Sequence, residues 1–156
     1  MKLQGLSKKQ IRKIAQELPQ NDKVIALADF LGITSDEIEE SRYGEFVTSE
    51  GDYRVLSEEE ADEAVKVEIL DSLWAFRTDF IFNFMIIKTN PNVLKAIQQM
   101  QESLSEDAND IMKALVGENI DELVNEAVSS AGRGHFLSSY DGEENESGGF
   151  FIYRTN

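Results

Sequence analysis

The chain has no cysteine, two prolines and one histidine among 156 residues. Without cysteine there are no disulfides, thiol nucleophiles, iron–sulfur clusters or cysteine-based zinc sites. A lone His135 excludes any site built from a histidine pair. Long apolar runs are also missing: the most apolar stretch, Phe80 to Ile87, is too short to cross a bilayer. The N-terminal residues MKLQGLSKKQIRKIAQEL carry charge throughout and hold no apolar segment of the secretory type. Together these absences predict a soluble, cytoplasmic protein with no membrane partner. Basic residues are scarce, 15 against 30 acidic, for a formal net charge of -15. Phosphate affinity comes from Lys and Arg, so this balance disfavours direct DNA binding and anionic membranes.

What is present is enough to fold. Hydrophobic residues make up 41% and charged residues 29%, outside the range of disordered chains. The length suits one domain, 1–156, in which 1–44 reads as a semi-independent helical lobe. Charge is distributed unevenly. Residues 1–23 hold six basic residues against Glu17 and Asp22, whereas the remainder carries -19. Residues 36–63 alone hold twelve acidic residues against Arg42 and Arg54.

The pattern predicts an α+β fold, mostly helical, with two short β-hairpins. Ser7 caps a basic helix over 8–18, with Ile11, Ile14, Ala15 and Leu18 on one face. A second helix covers 22–31 and ends at Gly32, and a third covers 36–42. Glu45–Ser49 and Tyr53–Leu56 flank a Glu50-Gly51-Asp52 turn, a hairpin signature. Ser57-Glu58-Glu59-Glu60 is a capping box. From it, Val65, Ile69, Leu73, Phe76, Phe80, Phe84 and Ile87 recur at helical spacing. They predict one long, central, buried helix that ends near Pro91. Helices follow over 91–102, 105–115 and 118–130, with Ser105 as a cap and Ile111 and Met112 turned inward. His135–Tyr140 and Phe150–Arg154 read as strands of a second hairpin, with Asp141–Gly149 as its loop.

Val24–Gly44 resembles the helix-turn-helix family over about 20 residues: Ala28, Gly32 and Ile38 take the small-residue, turn and packing positions. The second helix would face a DNA groove with Asp36, Glu37, Glu39 and Glu40, which phosphates repel. Helical rows of carboxylates can instead imitate a phosphate track, since positions three or four apart lie roughly 5–6 Å from each other. The candidate rows are Asp36/Glu39/Glu40, Glu58/Glu59/Asp62/Glu63 and Glu118/Asp121/Glu122/Glu126. The loop acids Asp141, Glu143, Glu144 and Glu146 lack the spacing of an EF-hand, so no metal is assigned to them. No P-loop, G-x-S-x-G or H-E-x-x-H occurs, and neither a catalytic residue nor a cofactor is expected.

Three segments are distinctive in combination: Gly132-Arg133-Gly134-His135-Phe136-Leu137-Ser138-Ser139-Tyr140-Asp141 running to Glu146 and followed by Ile152-Tyr153-Arg154, Leu56-Ser57-Glu58-Glu59-Glu60-Ala61-Asp62-Glu63-Ala64, and Ser72-Leu73-Trp74-Ala75-Phe76. They look like a group of small acidic proteins of phages and bacterial mobile elements, over roughly residues 25–156. The resemblance carries no activity and no catalytic residue. It implies a phage setting and a bacterial host cytoplasm, where small acidic proteins often inhibit defence nucleases. Anti-CRISPR and anti-restriction proteins are comparable in size, charge and setting. The expectation is therefore a non-enzymatic inhibitor or interaction protein that binds a basic protein surface, such as the nucleic-acid channel of a CRISPR effector. Its contact residues would be Asp36, Glu37, Glu39, Glu40, Glu58, Glu59, Asp62, Glu63, Asp141, Glu143, Glu144 and Glu146. Alternatives are a helix-turn-helix-related regulator and a structural module whose hairpins pair across a homodimer.

Overall fold

The computed structural model describes residues 22–41, 44–86 and 91–156. The helix expected at 8–18 lies outside these residues, as does the Thr89-Asn90 break. The fold is α+β and mostly helical. The described residues divide into two compact units, one running up to Ala61 and including Ser138–Asn156, the other Asp62–Leu137.

The first unit is built on a five-stranded antiparallel sheet in the order β1-β2-β3-β5-β4. Its strands are β1 (Glu39–Glu40), β2 (Phe46–Val47), β3 (Asp52–Leu56), β4 (Asn145–Ser147) and β5 (Phe150–Arg154). Helix α1 (22–31) lays Leu27 against Phe46, Tyr53, Val55 and Ile152, all buried. Register explains this face: Phe46 pairs with Tyr53 and Val55 with Ile152, so apolar cross-strand neighbours meet beneath the helix. The first hairpin forms where expected, with Thr48 Oγ1 donating 2.9 Å to the Gly51 carbonyl across its turn.

Two sequence expectations fail in this unit. Within the helix expected over 36–42, residues 36–41 do not form the second helix of a helix-turn-helix. Ser35–Glu37 is a single 3-10 turn, Ile38 is extended (φ -113°, ψ 125°), and Glu39 and Glu40 pair with Val47 and Phe46. In a helix Asp36, Glu37, Glu39 and Glu40 would be like-charged neighbours three and four positions apart, and the strand pairing satisfies the backbone instead. The second hairpin is real but shifted. Its first strand is β4, within the expected loop, and 135–137 belong to a helix. The Gly148-Gly149 turn causes the shift: both have positive φ (58° and 81°), as a two-residue type I′ turn requires, so the strands close immediately beside it.

The second unit is helical: α2 (Glu58–Asp71), whose first turn belongs to the other unit, α3 (Thr78–Phe82), α4 (Pro91–Leu104), α5 (Asn109–Val116), α6 (Ile120–Ala131) and α7 (Arg133–Leu137). The helix predicted from Ser57 to Pro91 is broken. α2 stops at Asp71, Leu73–Ala75 is a 3-10 turn, and Phe76 is extended (φ -72°, ψ 152°) ahead of α3. Side-chain amides from later helices occupy the carbonyls that a continuous helix would use. Asn109 Nδ2 donates to Leu70 O at 2.6 Å, Gln101 Nε2 to Trp74 O at 3.2 Å and Phe76 O at 2.9 Å, and Asn119 Nδ2 to Phe84 O at 3.0 Å. Ser72 Oγ bonds back to Glu68 O at 2.6 Å, as a serine at a helix end does. The longest helical run is instead α4 to α6, linked only by 3-10 turns. Within it Met112 is buried but Ile111 faces solvent, and Ser105 opens a 3-10 turn with positive φ rather than capping α5.

Candidate functional site

The structure distributes the predicted contact residues over separate surfaces. Asp36 and Glu37 lie on the 3-10 turn and Glu39 and Glu40 on β1, all exposed. Glu37 fixes its own turn by accepting from Thr34 N at 2.9 Å. None of these four forms an ion pair with a described cation. Glu39 and Glu40 stand on the hydrogen-bonded edge strand β1, and Asp36 and Glu37 on the turn that leads into it.

Asp141, Glu143, Glu144 and Glu146 lie at or beside the opposite edge strand, β4. β1 and β4 are four strand spacings apart, about 19 Å. The two acidic sets therefore do not converge. Part of the second set is also engaged internally. Ser138 Oγ lies 2.7 Å from both Asp141 Oδ1 and Arg154 O, and Glu143 N donates to Asp141 Oδ1 at 3.0 Å. The Glu143 amide and the Ser138 hydroxyl hold the Asp141 carboxyl below the usual carboxylate range. The buried Tyr153 donates its hydroxyl to Glu144. Beside them the Arg154 guanidinium stacks 3.8 Å over the ring of exposed Tyr140 and donates to Glu50 O.

On α2 the capping box forms as its sequence demands. Glu60 N donates to Ser57 Oγ at 3.2 Å, and Ser57 N to Glu60 Oε1 at 3.0 Å. Lys23 adds an ion pair to Glu60 at 2.9 Å. Burial pushes the Glu60 carboxyl up, but the Ser57 and Lys23 donors together outweigh it and leave its pKa lowered. Glu58, Glu59 and Glu63 are exposed, while Asp62 is paired with Arg133 at 2.9 Å. On α6 Asp121 is likewise paired, with Lys66 at 3.0 Å, and Glu122 and Glu126 are exposed. Asp62 on α2 and Asp121 on α6 are thus each engaged by a cation, Glu118 lies on the 3-10 turn Gly117–Asn119 before α6, and the row at 36–40 lies on a turn and a strand. Among the described residues no three His, Asp or Glu side chains are placed to hold a metal ion. None of their helices is long and apolar enough to cross a membrane.

Sequence reasoning missed a groove in the second unit. The sequence pattern places Phe76, Phe80 and Phe84 on a buried helix face. The break in that helix leaves them half-buried, in a ladder with ring centroids 5.8 and 5.4 Å apart, and Phe136 lies nearly parallel to Phe76 at 6.2 Å. Phe76, Phe80 and Phe136 face Ala127 and Ala131 of α6 across a cleft of about 600 Å³. The one available signal was the Phe76, Phe80, Phe84 spacing, which reads equally well as core.

No family model matches this chain, and no curated protein or solved structure does either.

Proposed function

We propose that this chain is a non-enzymatic, acidic interaction protein of the phage-inhibitor type that docks on a basic protein surface. The single observation that carries the reading is the β1 edge, where Asp36, Glu37, Glu39 and Glu40 are exposed, backbone-anchored and without an ion pair to any described cation. Fixed like charges of this kind raise the association rate with a cationic groove and make binding salt-sensitive. The nucleic-acid channel of a defence nuclease, such as a CRISPR effector, has the required charge. The two helical rows on α2 and α6 supply further carboxylates at spacings close to a phosphate track.

The alternatives have less support. A DNA-reading regulator needs a recognition helix, and residues 36–40 form a turn and a strand. A homodimer paired through hairpins would bring acidic edge strands together, Glu39 and Glu40 on one side and Glu146 on the other, and like charges oppose that pairing.

The test is capture from a bacterial lysate at low and high salt, followed by a DNA-cleavage assay with any nuclease recovered. Wild-type protein should inhibit cleavage, and Asp36→Lys, Glu37→Lys, Glu39→Lys and Glu40→Lys combined should abolish inhibition. Salt-independent capture, or inhibition by the four-lysine variant equal to wild type, would reject the reading.

A further inference from the structure

We propose that the aromatic groove of the second unit seats a large apolar side chain carried on a cationic, amphipathic segment of the partner. This rests on the reading of a basic partner and names the chemistry of one contact. The groove lies between the Phe76–Phe80 ladder and α6, with Phe136 and His135 of α7 at one end. Its volume of about 600 Å³ is within the range of sites that bind compact ligands. Its walls are aromatic rings on one side and the small Ala127 and Ala131 on the other, a shape that accepts a ring or a branched aliphatic group. A neighbouring hollow of similar volume shares Phe76, Arg77 and Asp79 with it, so the two adjoin along the Phe76–Asp79 segment.

Charge decides the class of occupant. Asp79 lines both hollows and Glu102 lines the second. Glu126 stands beside the groove wall, its Oε1 3.4 Å from Ser130 Oγ. The lining cation, Arg77, is held by Asp79 at 2.8 Å. Residues 62–137 carry thirteen acidic residues against six basic. An anionic segment entering here would meet Glu102 and Glu126, neither of which is paired with a described cation, whereas lysine or arginine flanking an apolar anchor would pair with them. Apolar burial would then supply affinity, and the rim charges would select the partner.

The experiment uses the full chain and a short fluorescein-labelled peptide with Lys and Leu at helical spacing and one Trp, read by fluorescence anisotropy. Two control peptides replace Lys by Glu, or Leu and Trp by Ser. The Lys/Leu/Trp peptide should bind at least about tenfold more tightly than either control. Ala131→Trp, at an exposed position on the groove wall, should weaken it about tenfold with an unchanged melting temperature. Ser130→Trp is the second blocking variant should Ala131→Trp fold poorly. The four-lysine variant of the β1 edge should bind the peptide as wild type does, which separates failure of this proposal from failure of the β1 reading. Equal binding by both blocking variants and wild type would overturn the proposal. So would equal binding of either control peptide, or a dimer that a blocking variant converts to monomer, since the groove would then belong to a second copy of the chain.

Discussion

Gln101 Nε2 donates to the backbone carbonyl of Phe76 at 2.9 Å, and Gln101 Oε1 accepts from Thr78 Oγ1 at 2.5 Å. One buried amide thus holds both sides of the break in the helix predicted from Ser57 to Pro91. It also sets the direction of the chain that builds the aromatic groove.

Replacing Gln101 should therefore cost more than its size suggests. Gln101→Leu fills the volume but orphans the carbonyls of Trp74 and Phe76, at about 1–3 kcal/mol for each group left without a donor. Gln101→Glu should be worse at neutral pH, because a carboxylate would face carbonyl oxygens. Burial would raise that glutamate's pKa, so its penalty is small below the ordinary value of about 4.3 and grows as pH rises. Urea denaturation of both variants at acidic and neutral pH measures this; equal loss at both pH values for Gln101→Glu would contradict the assignment.

This break also shows how far local pattern carries. The capping box at Ser57, the end of α1 at Gly32, the Phe46–Tyr53 hairpin and the inward residues Leu123, Val124 and Ala127 were legible, because each depends on neighbours a few positions away. The interruption after Asp71 was not. It is fixed by Gln101, Asn109 and Asn119, which lie 25 to 39 positions from the carbonyls they bind. The apolar period runs on through Leu73, Phe76 and Phe80, so it conceals the break. The acidic residues were legible as charge but not as geometry: the sequence does not disclose that Glu39 and Glu146 lie on opposite edges of one sheet.

The start of α2 should be pH-dependent. The Glu60 carboxyl has a lowered pKa in the folded chain, so its contribution is fully present above the unfolded value and is lost as pH falls through the folded one. Ser57→Ala should cost about 1 kcal/mol, as loss of an N-cap does. Glu60→Gln should flatten the acid limb of the stability profile between the folded and unfolded pKa of Glu60. Thermal melts across the acid range would show this, and an unchanged slope in Glu60→Gln would assign the acid sensitivity elsewhere.

Two adjacent glycines should respond differently to alanine. Gly148 and Gly149 both have positive φ, so both variants pay for a left-handed backbone, about 1 kcal/mol. Only at Gly148 would the new methyl meet a neighbour, the Ala26 Cβ of α1 at 3.2 Å; at Gly149 there is open space. Gly148→Ala should therefore lower the melting temperature more than Gly149→Ala. A double variant, Gly148→Ala with Ala26→Gly, should recover part of the difference, and no recovery would place the extra cost outside this contact.

The sheet edges carry the last prediction. β1 is two residues long and both are glutamate, and β4 is three residues long with Glu146 at its centre. Short, charged edge strands resist pairing with another chain, because approaching copies bring carboxylates face to face. Glu39→Thr and Glu40→Val together supply β-forming residues and remove this repulsion without touching the buried Phe46 or Tyr53. That variant should fold with the wild-type circular dichroism spectrum but show a rise in mass with concentration by light scattering. The rise should appear at low and high salt alike, since backbone pairing rather than charge would then drive it. If the variant keeps the wild-type mass at every concentration, Glu39 and Glu40 are not what protects this edge.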